Sequence, residues 1–214
     1  MKGNAMLKRL IYSFLLVISL MPIHINAQSF MEGEHYIEVE NFDTSKKQII
    51  EFFSFYCPAC YGQEPLFQDI KKSLPNEVAF HRNHISGMPG RNEAIEDLLT
   101  KASLVAKHFD VEDQVISAIF ERIHKDRGDI TGVDDVKAIF VKQGIAEGDF
   151  NRIFKGFAIN VQLKKKQQNT VKIREQGHSA VPTLVINGKY IPITRSIKTL
   201  DEYKNLINYL VNKA

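Results

Sequence analysis

The stretch EFFSFYCPAC, residues 51–60, leads an apolar run into two cysteines separated by Pro58 and Ala59, and these are the only cysteines among the 214 residues. Between Gln48 and Tyr56 the chain is nearly continuously apolar apart from Glu51 and Ser54. A short run of that kind predicts a strand covered on both faces, as in a parallel or mixed sheet. Pro58 suits the first turn of a helix, where no backbone donor is missed, so Cys57 is expected at a helix N-terminus. The unpaired N–H groups and the helix dipole favour a thiolate there. Cys60, one turn later, is expected to face inward beneath Cys57.

Outward from this block, Tyr61–Leu74 fits a helix, Pro75-Asn76 a turn and Glu77–Ile85 an alternating strand. From about Met88 to Gly177 apolar residues recur at helical spacing, including Ile95, Leu98, Leu99 and Ala102, then Val115, Ile119, Phe120 and Ile123. Helices are also expected over Phe150–Phe157 and much of Val161–Gln176. Strands return at Thr183–Ile186 and Lys189–Ile193 around Asn187-Gly188, a strong hairpin signal. A last amphipathic helix is expected from Thr199 to Asn212. The order is strand, helix, strand, helical block, hairpin, helix.

Residues 1–27 have another character, with Lys2, Lys8 and Arg9 ahead of the apolar run from Leu10 to Met21 and a stretch ending in Ala27. That is the layout of a secretory signal peptide, and a largely apolar run of twelve residues falls short of the ~20 that span a bilayer. Cleavage after Ala27 removes three of the 28 basic residues and none of the 25 acidic ones, leaving 25 against 25. The net charge of +3 therefore belongs to the discarded piece, and nucleic-acid binding is not expected. The run Lys164–Lys166 reads as a solvated face. A secretory leader points to an oxidising compartment, where a dithiol can persist as a disulfide.

Four functions compete for Cys57 and Cys60. A structural disulfide closing so short a loop would restrict the unfolded chain only modestly. Zinc would need His81 and His84, whose spacing does not match a finger and whose side chains on one strand point to opposite faces. A redox pair suits the vicinal spacing and the helix N-terminus, while a redox-inert pair leaves both unexplained. Glu51 adds to the redox reading, because a carboxylate in an apolar strand is costly without a partner. Arg82, on the neighbouring predicted strand, is a candidate, either as an ordinary ion pair or with Glu51 moving the proton of Cys60. Val181-Pro182 precedes a strand, where a cis bond would present the Val181 backbone beside the cysteines for an extended substrate.

The blocks IIEFFSFYCPACYGQEP, LPNEVAFHRNHI and AVPTLVINGKYI together resemble the DsbA family of periplasmic thiol-disulfide oxidoreductases, and the resemblance covers essentially the whole mature chain. It implies an α/β thioredoxin fold, a mixed central sheet flanked by helices with an inserted all-helical domain. The expected parts are a signal peptide at 1–27, thioredoxin-like segments at 28–86 and 178–214, and the helical insertion at 87–177. It further implies Cys57 as nucleophile, Cys60 as resolving thiol, Pro182 in cis, Glu51 as the buried acid, Glu64 as another acid near the site and Arg82 as a basic partner. Ala59 stands where the best-known members carry a thiolate-stabilising His, and the chain has no Trp.

The activity implied is periplasmic insertion of disulfides into newly exported cysteine-containing proteins by a monomer, with no metal and no cofactor beyond the Cys57–Cys60 disulfide. A DsbB-like membrane quinone reductase is the implied reoxidant. The rivals are a reductase or isomerase of the same fold and a redox-inert chaperone or binding module.

Overall fold

In the computed structural model, residues 30–40 and 42–213 are described; the leader reading of residues 1–27 lies outside them. Strand β1 is Tyr36–Glu38, β2 Gln48–Phe53, β3 Ala79–His84, β4 Thr183–Ile186 and β5 Tyr190–Pro192. They form one sheet in the order β1-β5-β4-β2-β3. β2 pairs parallel with β3 and antiparallel with β4, so the sheet is mixed.

All six residues of β2 are buried, and alternation along the strand divides them between two layers. Ile49 faces Phe67 and Ile70 of helix α1 (Pro58–Ser73) and Leu206 and Leu210 of helix α7 (Leu200–Asn212). Ile50 and Phe52 face the other way, toward Val185, Ile85 and Ile173. Each such side chain removed from water contributes about 1.5–3 kcal/mol, and a one-residue slip would reverse every assignment. Period two puts Glu51 on the same face as Ile49, under α1 and α7.

Between β3 and β4 every element is helical: α2 (Glu93–His108), α3 (Glu112–Phe120), a π-helical turn (Glu121–Lys125), α4 (Val133–Lys142), α5 (Glu147–Phe154) and α6 (Phe157–Glu175). Their apolar stripes meet in one cluster around Leu99, Val115, Ile119, Phe120, Phe140 and Phe150, and the same cluster includes Phe53, Phe55 and both cysteines. α6 links the layers, since Ile173 packs on the sheet. Asn92 caps α2 by accepting from the Ala94 N–H at 3.0 Å, and Thr199 caps α7 by accepting from the Glu202 N–H at 3.1 Å.

Three expectations shift. β2 stops at Phe53 rather than Tyr56, because Ser54 turns the chain toward the helix. The expected Phe150–Phe157 helix divides between α5 and α6, leaving α6 longer than anticipated. β1 has no counterpart in the sequence reading; three residues carry too little pattern, and pairing with β5 organises them.

The hairpin turn is as expected, with positive φ at both Asn187 (51°) and Gly188 (66°). A Cβ on Gly188 would run into the Asp43 carbonyl. The Asn187 side chain does more than turn: its Oδ1 accepts from the Gln48 N–H at 3.1 Å, and its Nδ2 donates to the carbonyls of Leu210 (3.1 Å) and Val211 (2.9 Å). It therefore ties the start of β2 to the end of α7. Asn187→Ala removes all three bonds and disfavours the turn, and should cost about 1–3 kcal/mol in urea unfolding; a loss below about 0.5 kcal/mol would show the tie to be dispensable.

Candidate active site

Beyond Phe53 the buried Ser54 redirects the chain. Its carbonyl accepts from the Cys57 N–H at 3.1 Å and its Oγ from the Tyr56 N–H at 3.1 Å. Cys57 then takes an extended conformation (φ −91°, ψ 114°) as the N-cap of α1, with Pro58 in the first helical turn. The Cys57 Sγ accepts from the Cys60 N–H at 3.3 Å, an interaction that strengthens when the sulfur carries charge. Both cysteines are thiols, but they differ in access: Cys57 is 9% exposed and Cys60 0%. Cys57 alone of the two presents any surface to solvent.

Across from the helix, the Val181–Pro182 bond is cis, and the Val181 carbonyl accepts from the Cys57 thiol at 3.4 Å. This brings the two distant segments, 57–60 and 181–182, together as expected. Arg91, in the segment that leads into α2, lies over the ring of Tyr56, the residue before Cys57, at 4.4 Å. Ala59 is exposed on the turn and offers only a methyl group beside Cys57.

Beneath Cys60 lies a buried charge cluster. Glu51, Glu64 and Arg82 are 1%, 6% and 3% exposed. Glu51 and Arg82 are register partners on β2 and β3, yet the guanidinium fork goes elsewhere: Arg82 donates from both terminal nitrogens to the Glu64 carboxylate, at 2.8 Å each. Glu51 reaches only Nε, at 3.6 Å, and neither its Oε2 nor that Nε is hydrogen-bonded. The expected Glu51–Arg82 pair is thus a contact of charges, while Glu64, expected only near the site, is the bonded partner. Reach decides this, since a side chain about two turns into α1 meets the end of the arginine that a neighbouring strand position cannot.

The consequence for Glu51 is protonation. Burial, outweighing the attraction of Arg82 and reinforced by Glu64, raises its carboxyl from 4.5 to about 8. Burial above all also pushes the Cys60 thiol well up, with Cys57 and Glu51 adding to it against one backbone hydrogen bond from Ser54. For Arg82, desolvation works against the charge, but Glu51 and Glu64 prevail and raise it. A neutral acid and a neutral thiol therefore share a pocket with one satisfied ion pair.

One neighbour had no sequence signal beyond a histidine in a helical stripe. In the π-helical turn, His124 stacks on Tyr61 (5.0 Å, 6° between planes) and its Nε2 lies 2.8 Å from the Phe55 carbonyl. The π turn supplies the extra residue that aims the ring at the segment before Cys57. His84 is buried against Phe53 and Phe55, and burial drives its imidazole down to about 3. Its Nδ1 lies 2.8 Å from the Thr100 hydroxyl, which itself donates to the Glu96 carbonyl; the ring is a neutral donor. His81 instead meets Lys107. No group of three His, Cys, Asp or Glu residues is placed to hold a metal among the described residues.

The sequence profile of the DSBA-like thioredoxin domain matches residues 48–204. The thiol:disulfide interchange protein DsbA of Haemophilus influenzae is 32% identical over 177 residues, spanning 81% of this chain and 82% of its own. That of Pectobacterium carotovorum is 27% identical over 211 residues, 94% and 97% of the two chains. The crystal structure of the disulfide oxidoreductase DsbA from Proteus mirabilis superposes with a TM-score of 0.71 at 28% identity, covering 86% of this chain and 96% of that one. A complex of Proteus mirabilis DsbA with a non-covalently bound peptide, PWATCDS, superposes with a TM-score of 0.75 at 26% identity, covering 86% and 100%. The fold is the DsbA-like thioredoxin fold.

Because burial holds the proton on Glu51 in the folded chain above its ordinary 4.5, the stability contribution of this carboxyl is fully present below that value and falls as pH rises toward about 8, where the folded chain also loses the proton. Glu51→Gln keeps the shape and has no proton to lose. Measured by denaturant unfolding at a series of pH values, the variant should gain on the native protein as pH rises between about 4.5 and 8. The gain should be on the order of 1.4 kcal/mol for each pH unit separating the folded and unfolded midpoints, with about 5 kcal/mol as its upper bound. A difference that is flat across that range would contradict a neutral Glu51.

Proposed function

The chain belongs to the family of DSBA-like thioredoxin domains, and from that premise we propose that Cys57 and Cys60 are the redox pair through which it introduces disulfide bonds into exported proteins. The observation that carries this reading is the difference in access between the two thiols, with Cys57 held at the N-cap of α1 and Cys60 closed off above the buried carboxyl of Glu51.

In the oxidised enzyme a substrate thiolate attacks the Cys57 sulfur. The Cys57–Cys60 bond breaks, a mixed disulfide forms, and Cys60 leaves as a thiolate. A buried thiol that strongly prefers its neutral form needs a proton at that moment, and we assign Glu51 to supply it. A second substrate thiolate then attacks the substrate sulfur of the mixed disulfide. Substrate leaves with two electrons fewer, and the enzyme leaves as the dithiol.

Glu64 and Arg82 are positioning residues in this reading. By pairing with each other they leave Glu51 neutral and available. Val181 and Pro182 form the substrate-side wall: the Val181 carbonyl that now meets the Cys57 thiol is within reach of an extended peptide backbone. The relative solved with a bound peptide containing a cysteine supports an extended polypeptide as the substrate class. Pro58 starts the helix, and Ala59 leaves thiolate stabilisation to the helix N-terminus and the Cys60 N–H.

We further read residues 28–86 and 178–214 as the thioredoxin-like part and 87–177 as its helical insertion. All five strands fall in the first two segments. The periplasm is the proposed location, supported by the leader pattern of residues 1–27, with no helix among the described residues long and apolar enough to cross a membrane. A DsbB-like quinone reductase is the proposed reoxidant.

Cys60→Ser should accumulate reductant-sensitive covalent complexes between Cys57 and cysteine-containing proteins, because Cys57 still attacks substrate disulfides while the neighbouring thiol that would attack the mixed disulfide from within the enzyme is gone. Cys57→Ser should abolish both the complexes and the oxidation of a reduced, unfolded substrate. Non-reducing gels with mass spectrometry read both. Complexes formed through Cys60, or substrate oxidation surviving in Cys57→Ser, would overturn the assignment.

A further inference from the structure

At the end of β2 opposite Cys57, a cavity of about 320 Å³ opens between the sheet and helices α2 and α6. Its charged lining is all basic: Lys107 comes from α2 and Lys165 and Lys166 from α6, with the neutral ring of His81 from β3 and the amides of Gln48, Gln162 and Asn169 beside them. Among the described residues no Asp or Glu lines it. Ile50 and Leu104 make an apolar wall.

The lysines lack counter-ions. Among the described residues none of the three is in an ion pair. Lys107 donates to His81 Nδ1 at 3.2 Å, which leaves the ring proton on Nε2, and Lys166 donates to the Arg82 carbonyl at 2.6 Å. The acids that sense these lysines are engaged elsewhere: Glu112 with Lys71, and Asp43 with Ser45. Lys166 is half-buried and not part of the solvated face expected of the 164–166 run. Burial and then Lys107 draw its ammonium down to about 8. Burial, followed by the three lysines, draws His81 down to about 4. Cations crowded without anions repel one another, and a ligand of opposite charge would relieve each of them at once.

We propose that this cavity is a binding site for a small soluble molecule bearing a multivalent oxyanion, a phosphoryl or sulfate group. The oxyanion accepts from the ammonium groups of Lys107, Lys165 and Lys166 and from the His81 Nε2–H. The volume beyond it, against Ile50 and Leu104, has room for an ester substituent. The site is separate from the cysteine centre and does not depend on the activity assigned to it.

The test is a nuclear magnetic resonance titration of the His81 ring in the full mature chain, with inorganic phosphate, sulfate, phenyl phosphate and chloride at constant ionic strength. Phosphate and sulfate should move the His81 signals saturably, while chloride at the same ionic strength should not. In the double variant Lys107→Gln, Lys165→Gln, phosphate should bind about tenfold more weakly or worse, with the unliganded melting temperature unchanged. Lys166 is left in place because it holds the Arg82 carbonyl. Tighter binding of phenyl phosphate would identify an organic ester as the ligand class, and equal binding the free ion; both sustain the site. Linear shifts, shifts matched by chloride, or unchanged affinity in the double variant would overturn it.

Discussion

One guanidinium lies between two carboxylates in the apolar interior beneath the cysteines, and it can satisfy only one of them. Arg82 gives its fork to Glu64. Removing one partner from such a buried pair typically costs about 3–5 kcal/mol, because the other charge is left uncompensated. β3 and α1 are thereby pinned together at the level of the redox turn. The carboxyl left over, Glu51, has lost its water without gaining a hydrogen bond from arginine, and it holds a proton well above the usual carboxylate range.

The fold converges on this point from four directions. β2 delivers Glu51 and ends two residues beyond it, α1 begins with Cys57 and places Cys60 one turn below, the 181–182 segment closes one side, and the π-helical turn props His124 against Tyr61 on another. The sheet and helices supply rigidity, and the chemistry needs two sulfurs of unequal access above a group that can give up a proton. A pair of equally exposed thiols would release partners less selectively, and a permanently charged acid would make departure of the Cys60 thiolate harder.

What could be read from the sequence follows from how local each rule is. Pro58 and Cys57 announce a helix N-terminus through one residue's missing N–H, and Asn187-Gly188 announces its turn through two residues' tolerance of positive φ; both read correctly without tertiary information. The strand from Gln48 was legible because all its side chains are buried. The partner of Arg82 was not, because strand adjacency suggested Glu51, and the reach of Glu64 from α1 is a matter of packing. His124 and Lys166 were missed for the same reason: a π turn aims one, and the other leaves a lysine run to hold a backbone carbonyl of β3. β1 escaped notice because three residues carry no pattern until β5 pairs with them. Ala59 was legible as a substitution, since one methyl group replaces a donor beside Cys57.

The central claim is that Glu51 is a neutral acid at physiological pH because it is buried while Arg82 gives its hydrogen bonds to Glu64. The direct measurement is a carbon-13 titration of the Glu51 side-chain carboxyl in the reduced protein, assigned by comparison with Glu51→Gln. A midpoint near 8 is the result expected of a carboxyl buried without a hydrogen bond from arginine. A midpoint at or below its ordinary 4.5 would mean that Glu51 is an ionised partner of Arg82, and it would contradict a proton held ready for Cys60.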